Sequence, residues 1–436
     1  MTEGFRNTLK ELLSSTTGKV GVTFFLVMLG VSVYALIANP LDFGNRFWNN
    51  PTVWADNPKN VPPFWVSIFS NYKRADHTVF ETSEPTELFY TNRGIERVYT
   101  FNLDYNFDEP PTFTSFSLEN ITYHSKPPTV FLYVNRPDGK NLSLFKLAVA
   151  SPRTGESFPI RRYQQAPFRV YITGESSVAR DVSQFLRNEF YIQVAPEQLV
   201  GDVDEIIFGI PDGDGFSSLK GKYEIRVVAR SQDSSDSIGN VKFVLGGSKF
   251  GLMGTDSTGR DLARGLMFGF PVALAIGLIT SIMATAAGTI MGIISGYIGG
   301  KTDIAIQRFC DVLSNIPLLP ILLFLAFVLG QHLWIVIVIL IIFGWPGMTI
   351  LIRSMVLQIR SGQLVEASIA LGASRWRIMF KHIFPQMAPF VFAQMIFFTP
   401  AAILAEAGLS FLGLGDPSIP TWGQILDQGF RTGAIY

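Results

Sequence analysis

VLSNIPLLPILLFLAFVLGQHLWIVIVILIIFGWPGMTILI, residues 312–352, runs for 41 residues without an Asp, Glu, Lys or Arg. A bilayer core of roughly 30 Å needs about 20 apolar helical residues, so this run is too long for one crossing and suits two. Gly330-Gln331-His332 near its middle reads as the polar turn between them. Three further uncharged runs lie on either side: Val20–Ala38, Gly265–Gly300 and Ile383–Ala405. Pro271 and the glycines 296, 299 and 300 mark the interfacial ends of the second. Five spans are expected, at about 20–38, 268–296, 312–330, 333–352 and 386–405. The first exceeds the usual 7–15 apolar residues of a signal peptide, and Ala35-Leu-Ile-Ala38 is not a clean cleavage site, so it reads as an uncleaved anchor.

The composition agrees. Of 436 residues, 48% are hydrophobic and 16% charged, against roughly 25% charged in soluble proteins. The 35 basic residues balance the 35 acidic ones, which argues against a nucleic-acid surface. A single cysteine, Cys310, excludes an internal disulfide framework and a multi-cysteine zinc site. No residue set points to covalent catalysis, metal hydrolysis or metal binding, and no G-x-x-x-x-G-K-[ST] phosphate loop is present.

Positive charge sets the orientation. Arg6, Lys10 and Lys19 outnumber Glu3 and Glu11 before the first span. Arg353, Arg360, Arg375, Arg377 and Lys381 face only Glu366 between the fourth and fifth. Both segments are expected inside, which puts 41–264 outside.

Residues 39–250 read as an extracytoplasmic, β-rich, sandwich-like domain between a cytoplasmic segment plus anchor and the helical core at 251–436. Val130–Val134 and Leu142–Leu147 flank the turn cluster 135–140. Tyr223–Ala229 is expected to pair with Val241–Leu245, and Val170–Ile172 and Phe190–Val194 to add strands. Trp48, Trp54 and Trp65 read as interface anchors, core residues or exposed binding groups. Asp212-Gly-Asp-Gly215 lacks the downstream glutamate of a calcium loop and reads as a turn. The sequons at Asn120 and Asn141 fit an outside location.

The segment 353–385 is expected to lie along the inner face. Gln363–Leu371 is a good helix former, Gly372 can end a helix in the left-handed region, and Ser374 can cap a second one. There Trp376, Phe380 and Ile383 share a stripe beside Arg375, Arg377 and Lys381, and Pro385 marks entry to the last span. Arg308 and Asp311, three apart, read as an ion pair or a pathway pair, and Arg353 as a residue snorkelling to the interface.

Glu366-Ala367-Ser, three residues, Gly372, nine residues and His382-Ile-Phe-Pro385 resemble the EAA loop of ABC importer permeases, with His382 and Phe384 in place of Ile and Leu. Gly254-Thr255-Asp256-Ser-Thr-Gly259-Arg260-Asp261-Leu-Ala-Arg264 is similar to an entry signature of the dipeptide/oligopeptide/nickel branch, with Ala263 where Ser is usual. Glu406–Gly415 followed by Pro420-Thr-Trp-Gly423 is a third match. Together they cover about 250–430 and resemble the C-type (DppC/OppC-like) permease subunit.

The resemblance implies an all-α polytopic membrane protein of the type I importer permease fold, here with the β-rich insert. It implies a non-catalytic subunit whose elbow (Glu366, Ala367, Gly372, Ser374, Trp376, Arg377, Phe380 and Pro385) couples to two ATP-binding subunits. ATP and magnesium would lie in those partners. It also implies a sister permease (B-type), an extracytoplasmic substrate-binding protein, and uptake of peptides or similar oligomeric nutrients across the cell membrane. Glu406 and Phe411 become gate candidates, with 406–430 a folded-back outer scoop. A sixth span is usual after that scoop; five crossings are expected here before Tyr436. Two other readings of the residues stand beside this one: a membrane-anchored binding or sensor protein, and an ion-coupled transporter using Arg308 and Asp311.

Overall fold

The computed structural model describes residues 14, 16–40, 42–92, 94–213 and 215–433. Arg6, Lys10, Glu3, Glu11, Asp214 and Tyr436 lie outside the described residues. The chain divides into two compact units, one at Pro51–Ala263 and one formed by the residues up to Asn50 with Arg264–Tyr436.

In the membrane unit, helix α1 (Thr16–Ala38) is apolar along its length and its side chains are largely exposed. The β unit holds two five-stranded antiparallel sheets. In one, β1 (Thr78–Thr82) pairs with β12 (Ser237–Gly246), which pairs with β4 (Phe113–Tyr123); β4 also carries β7 (Ile160–Arg162) and β8 (Phe168–Tyr171). The other runs β2 (Glu87–Thr91), β3 (Gly94–Tyr105), β11 (Gly221–Ser231), β5 (Thr129–Asn135), β6 (Asn141–Ala148). Helices α2 (Ser176–Phe190), α3 (Pro196–Leu199) and α4 (Val203–Ile207) precede a hairpin of β9 (Gly209–Asp212) and β10 (Gly215–Ser218).

One core joins both sheets: Phe101 and Leu103 of β3, Ile225 of β11, Leu118 of β4 and Phe243 of β12 belong to the same buried cluster, with Val182 and Leu186 of α2 packed into it. Burial alternates along β5, as the two-residue period of a strand demands. Three fully buried tyrosines reach backbone acceptors at their tips: Tyr105 donates to Glu109 O, Tyr123 to Ala150 O at 2.7 Å and Tyr223 to Leu219 O at 2.8 Å. Such partners offset the cost of burying a hydroxyl.

The β5–β6 hairpin matches expectation, and Asp212 pairs with Gly215. Two expectations do not hold. Tyr223–Ala229 and Val241–Leu245 lie in different sheets, because β11 finds its partners in β3 and β5 and β12 finds its own in β1 and β4. Residues 190–194 form no strand: α2 runs to Phe190 and ends on Tyr191 at φ 59°. Trp54 is buried in the β unit and Trp48 in the membrane unit, whereas Trp65 is 42% exposed.

The membrane unit continues with α5 (Leu262–Ile298), α6 (Gly300–Asn315), α7 (Leu318–Leu329), α8 (Leu333–Arg360), α9 (Gln363–Ala370), α10 (Arg375–Ile378), a π turn (Met379–Ile383), α11 (Phe384–Phe411) and α12 (Trp422–Arg431). Among the described residues four helical stretches are long and apolar enough to cross a membrane: Lys19–Ala38, α5, α8 and Arg375–Phe411. The expected span 312–330 is not one helix. The pair α6–α7 bends by 78° at Ile316-Pro317, because proline lacks the N–H a continuing helix needs and pushes the preceding residue out of the α region. Counted as one broken span, the pair makes five. Gly330-Gln331-His332 is the turn expected, with His332 as the N-cap of α8.

Helices α5 and α8 meet along a stripe of glycines. A Cβ at Gly288, Gly292 or Gly296 would lie 2.6, 2.6 or 2.7 Å from the Cβ of Met348, Ile352 or Val356. Only hydrogen at these positions allows the backbones so close, and close packing is what binds helices where lipid is as apolar as their side chains.

Asp204 supplies a test of the β unit. It is buried, accepting hydrogen bonds from the Thr114 hydroxyl at 2.5 Å and from the Thr173 hydroxyl. Burial pushes its pKa up to about 6. Since an unfolded Asp titrates near 4, the folded state holds the proton more tightly. Stability should therefore be full below about pH 4 and fall as pH rises through 6, by about 3 kcal/mol in all. Asp204→Asn should flatten that dependence, read as hydrogen-exchange protection of β4 against pH.

Candidate functional site

The segment between α8 and α11 is built by local sequence rules. Helix α8 runs on to Arg360, so the loop expected from 353 begins at Ser361. Helix α9 then ends where Gly372 takes φ +76°; its N–H donates to Ile369 O at 2.9 Å and that of Ala373 to Ser368 O at 3.1 Å. These bonds satisfy the last carbonyls of the helix, and the left-handed conformation favours glycine. Ser374 caps α10, its Oγ accepting from the Arg377 N–H at 3.4 Å. Pro385 stands just after the π turn, where it cannot donate a helical hydrogen bond to the preceding turn.

One face of this elbow is anchored. Val365, Ile378, Met379 and Ile383 are fully buried and share a cluster with Ile293 of α5, Ile352 and Val356 of α8, and Met387 of α11. The other face is open. Trp376 and Phe380 lie parallel, ring centroids 5.8 Å apart, and are 60% and 44% exposed. Leu364, Ile369 and Leu371 are exposed too, as are Glu366, Ala367, Arg375, Arg377 and Lys381. The expected stripe of Trp376, Phe380 and Ile383 is therefore split. The π turn adds a residue to the helical turn and carries Ile383 to the buried side.

The remaining candidates are dispersed. Arg308 and Asp311 form a pair at 3.6 Å with side chains 80% and 54% exposed, on α6. Glu406 and Phe411 lie within α11, not in a loop, so the expected scoop at 406–430 reduces to residues 412–421 followed by α12. Glu406 is buried and accepts from the Ser410 hydroxyl at 2.6 Å; Phe411 packs edge-on to Phe430. The segment after α11 is tied down: Trp422 Nε1 donates to Leu266 O at 3.0 Å, and Gln331 Nε2 to Gly413 O at 2.7 Å.

The signature Gly254–Asp261 folds into a closed loop in the β unit. Buried Asp256 accepts from the N–H groups of Thr258 and Arg260 and from Arg260 Nε at 2.6 Å. Asp261 Oδ1 accepts from the Ala263 N–H at 2.9 Å in the first turn of α5. Gly254, at φ +77°, leaves room for Val61 O, which a Cβ would approach to 2.3 Å; Gly259 is likewise at positive φ. Thr255 pairs with Asp261 across the loop.

The sequence reading missed an ion-pair latch. Arg353 does not snorkel: its Nε and Nη2 meet Asp303 Oδ1 and Oδ2, each at 2.6 Å. Ser295 donates to the same carboxylate at 2.5 Å and receives a bond from Gln307 at 3.0 Å. The latch ties α5, α6 and α8 together beside the elbow. The available signal was that Asp303 and Arg353 each stand just past the end of an uncharged run.

Residues 288–435, which contain the elbow, α8, α11 and the last turns of α5, match the family model described as binding-protein-dependent transport system inner membrane component. The chain is similar to the dipeptide transport system permease protein DppC of Lactococcus lactis subsp. cremoris, 34% identical over 42% of this chain and 54% of that one. DppC of Bacillus subtilis is 36% identical over 41% of this chain and 56% of its own length. The oligopeptide transport system permease protein OppC of Bacillus subtilis is 37% identical over 43% and 62%. The chain thus spans between 54% and 62% of the length of these relatives.

The latch of the helical unit gives a test. Removing one partner of a partly buried pair strands the other charge, whereas removing both does not. Arg353→Met should destabilise the helical unit by about 1–3 kcal/mol, and adding Asp303→Asn should recover part of that loss. Thermal unfolding of the four members of this cycle in detergent measures the coupling.

Proposed function

We propose that this chain is the membrane-spanning permease subunit of an ATP-driven ABC importer, moving di- or oligopeptides or similar oligomeric nutrients together with a sister permease. The observation that carries this reading is the elbow within the matched segment: buried on one side, and presenting stacked Trp376 and Phe380 with basic neighbours on the other. Interfaces concentrate binding energy on aromatic and arginine residues of this kind. An ATP-binding subunit is the proposed occupant of that face, with two such subunits, their ATP and magnesium, and an extracytoplasmic substrate-binding protein completing the assembly. No residue of this chain is proposed as catalytic.

The mechanism follows from stiffness. To swing an inward–outward equilibrium from 1:99 to 99:1 takes about 5.5 kcal/mol of differential stabilisation. The proposed source is nucleotide-driven closure of the partners. A push on Trp376 passes through Ile378, Met379 and Ile383 into α5, α8 and α11, because these side chains form one packed cluster. The elbow's basic excess supports a cytoplasmic position for it, with the β unit outside, in a multi-pass protein of the cell membrane. Arg308 and Asp311 pair with each other at 3.6 Å, and the apolar runs hold few carboxylates, which disfavours ion-coupled transport.

Trp376→Glu in the reconstituted complex should lower substrate-stimulated ATP hydrolysis and uptake at least tenfold. Gly372→Pro should do the same by forbidding the φ of +76° on which the elbow turns. Unchanged stimulation in both, with the permease pair still assembled in the membrane, would remove the coupling role.

A further inference from the structure

The β unit carries an apolar knob that its own core does not use. Phe64–Phe69 forms a 3₁₀ helix with no buried residue. Ile68 is 75% and Phe69 83% exposed, and Phe64, Trp65, Leu252 and Met253 are exposed beside them. The knob is built: Trp65 Nε1 donates to Leu252 O at 2.9 Å, the Phe64 N–H to Gly251 O at 3.0 Å, and Trp65 meets Phe69 edge-on at 6.4 Å. Residues 60–72 contain no charge, and the run is bracketed by exposed Lys59 and Lys73. Large exposed apolar patches on folded domains mark contact surfaces.

The occupant is indicated by where the knob is fastened. The N–H of Leu262, the first residue of membrane helix α5, donates to Gly254 O at 3.2 Å, one residue after Met253. Gly254 is itself packed against Val61 and Pro62, which lead into the 3₁₀ helix. The knob is thus tied by hydrogen bonds to the point where the chain enters a span. Tryptophan and other aromatics concentrate at that depth of a bilayer, with lysines reaching to headgroups. The exposed residues Leu88, Phe89 and Tyr90 of edge strand β2 pair with β3 and serve as a contrast.

We infer that Phe64, Trp65, Ile68, Phe69, Leu252 and Met253 form an interfacial anchor that inserts into the phospholipid headgroup–acyl boundary and seats the β unit on the membrane. The inference rests on α5 spanning a membrane and is independent of coupling to an ATPase.

The test uses the full chain in phosphatidylcholine nanodiscs, with Cys310→Ser and a single fluorophore on Phe69→Cys. Ile68→Cys repeats the measurement should the first variant fold poorly, and Tyr90→Cys is the exposed reference. The anchor predicts at least twofold stronger quenching by lipid carrying a nitroxide at carbon 5 than at carbon 12, and at least threefold protection from aqueous iodide relative to the Tyr90 site. Iodide access equal to that site would overturn the inference. So would protection from iodide without lipid quenching, which would mean that protein covers the knob. Neither readout depends on nucleotide or substrate, so failure here leaves the importer reading intact.

Discussion

The helical unit depends on how closely α5 and α8 approach. Water drives apolar surfaces together in a soluble core, but between two helices in lipid that force is missing, and contact distance decides. Gly288, Gly292 and Gly296 place bare backbone opposite Met348, Ile352 and Val356. The same approach brings Arg353 within reach of Asp303 and brings Val356 into the cluster that receives Val365 and Ile378 of the elbow. A side chain at Gly292 would separate the helices, stretch the ion pair and loosen the elbow's seat in one step.

The β unit solves a different problem. It stands in a chain whose single cysteine lies elsewhere, and it draws its stability from one core shared by two sheets. Its aromatic residues fill that core while their hydroxyls find backbone acceptors. The Asp256–Arg260 loop closes the unit just before α5 begins, so the entry signature acts here as a clasp at the end of the β unit.

What could be read from the sequence was what is decided locally. Gly372 and Ser374 announce a helix end and a cap within three residues, and both stand as expected. Hydropathy located the apolar helices, because length and charge suffice for that. It did not reveal that the chain turns by 78° at Pro317, since an apolar composition is indifferent to direction. The partners of β11 lie about 90 to 135 residues away in the chain, and strand alternation does not say which equally apolar strand is nearest. Arg353 looked like a snorkelling cation because Asp303 lies fifty positions earlier, and a place just past an uncharged run does not name a partner. The elbow's exposed face was legible only in part, since the π turn re-phases the stripe after Phe380.

That π turn places a constraint on how the sequence can drift. From Arg375 to Phe411 the chain is helical without a loop, so the aim of Trp376 is set by residue count. Adding or removing one residue between Met379 and Ile383 rotates everything before it by about 100° relative to α11. Point substitutions can accumulate on the exposed face, but a single-codon insertion or deletion there would swing the tryptophan round towards the interior and turn Ile378 out of its cluster.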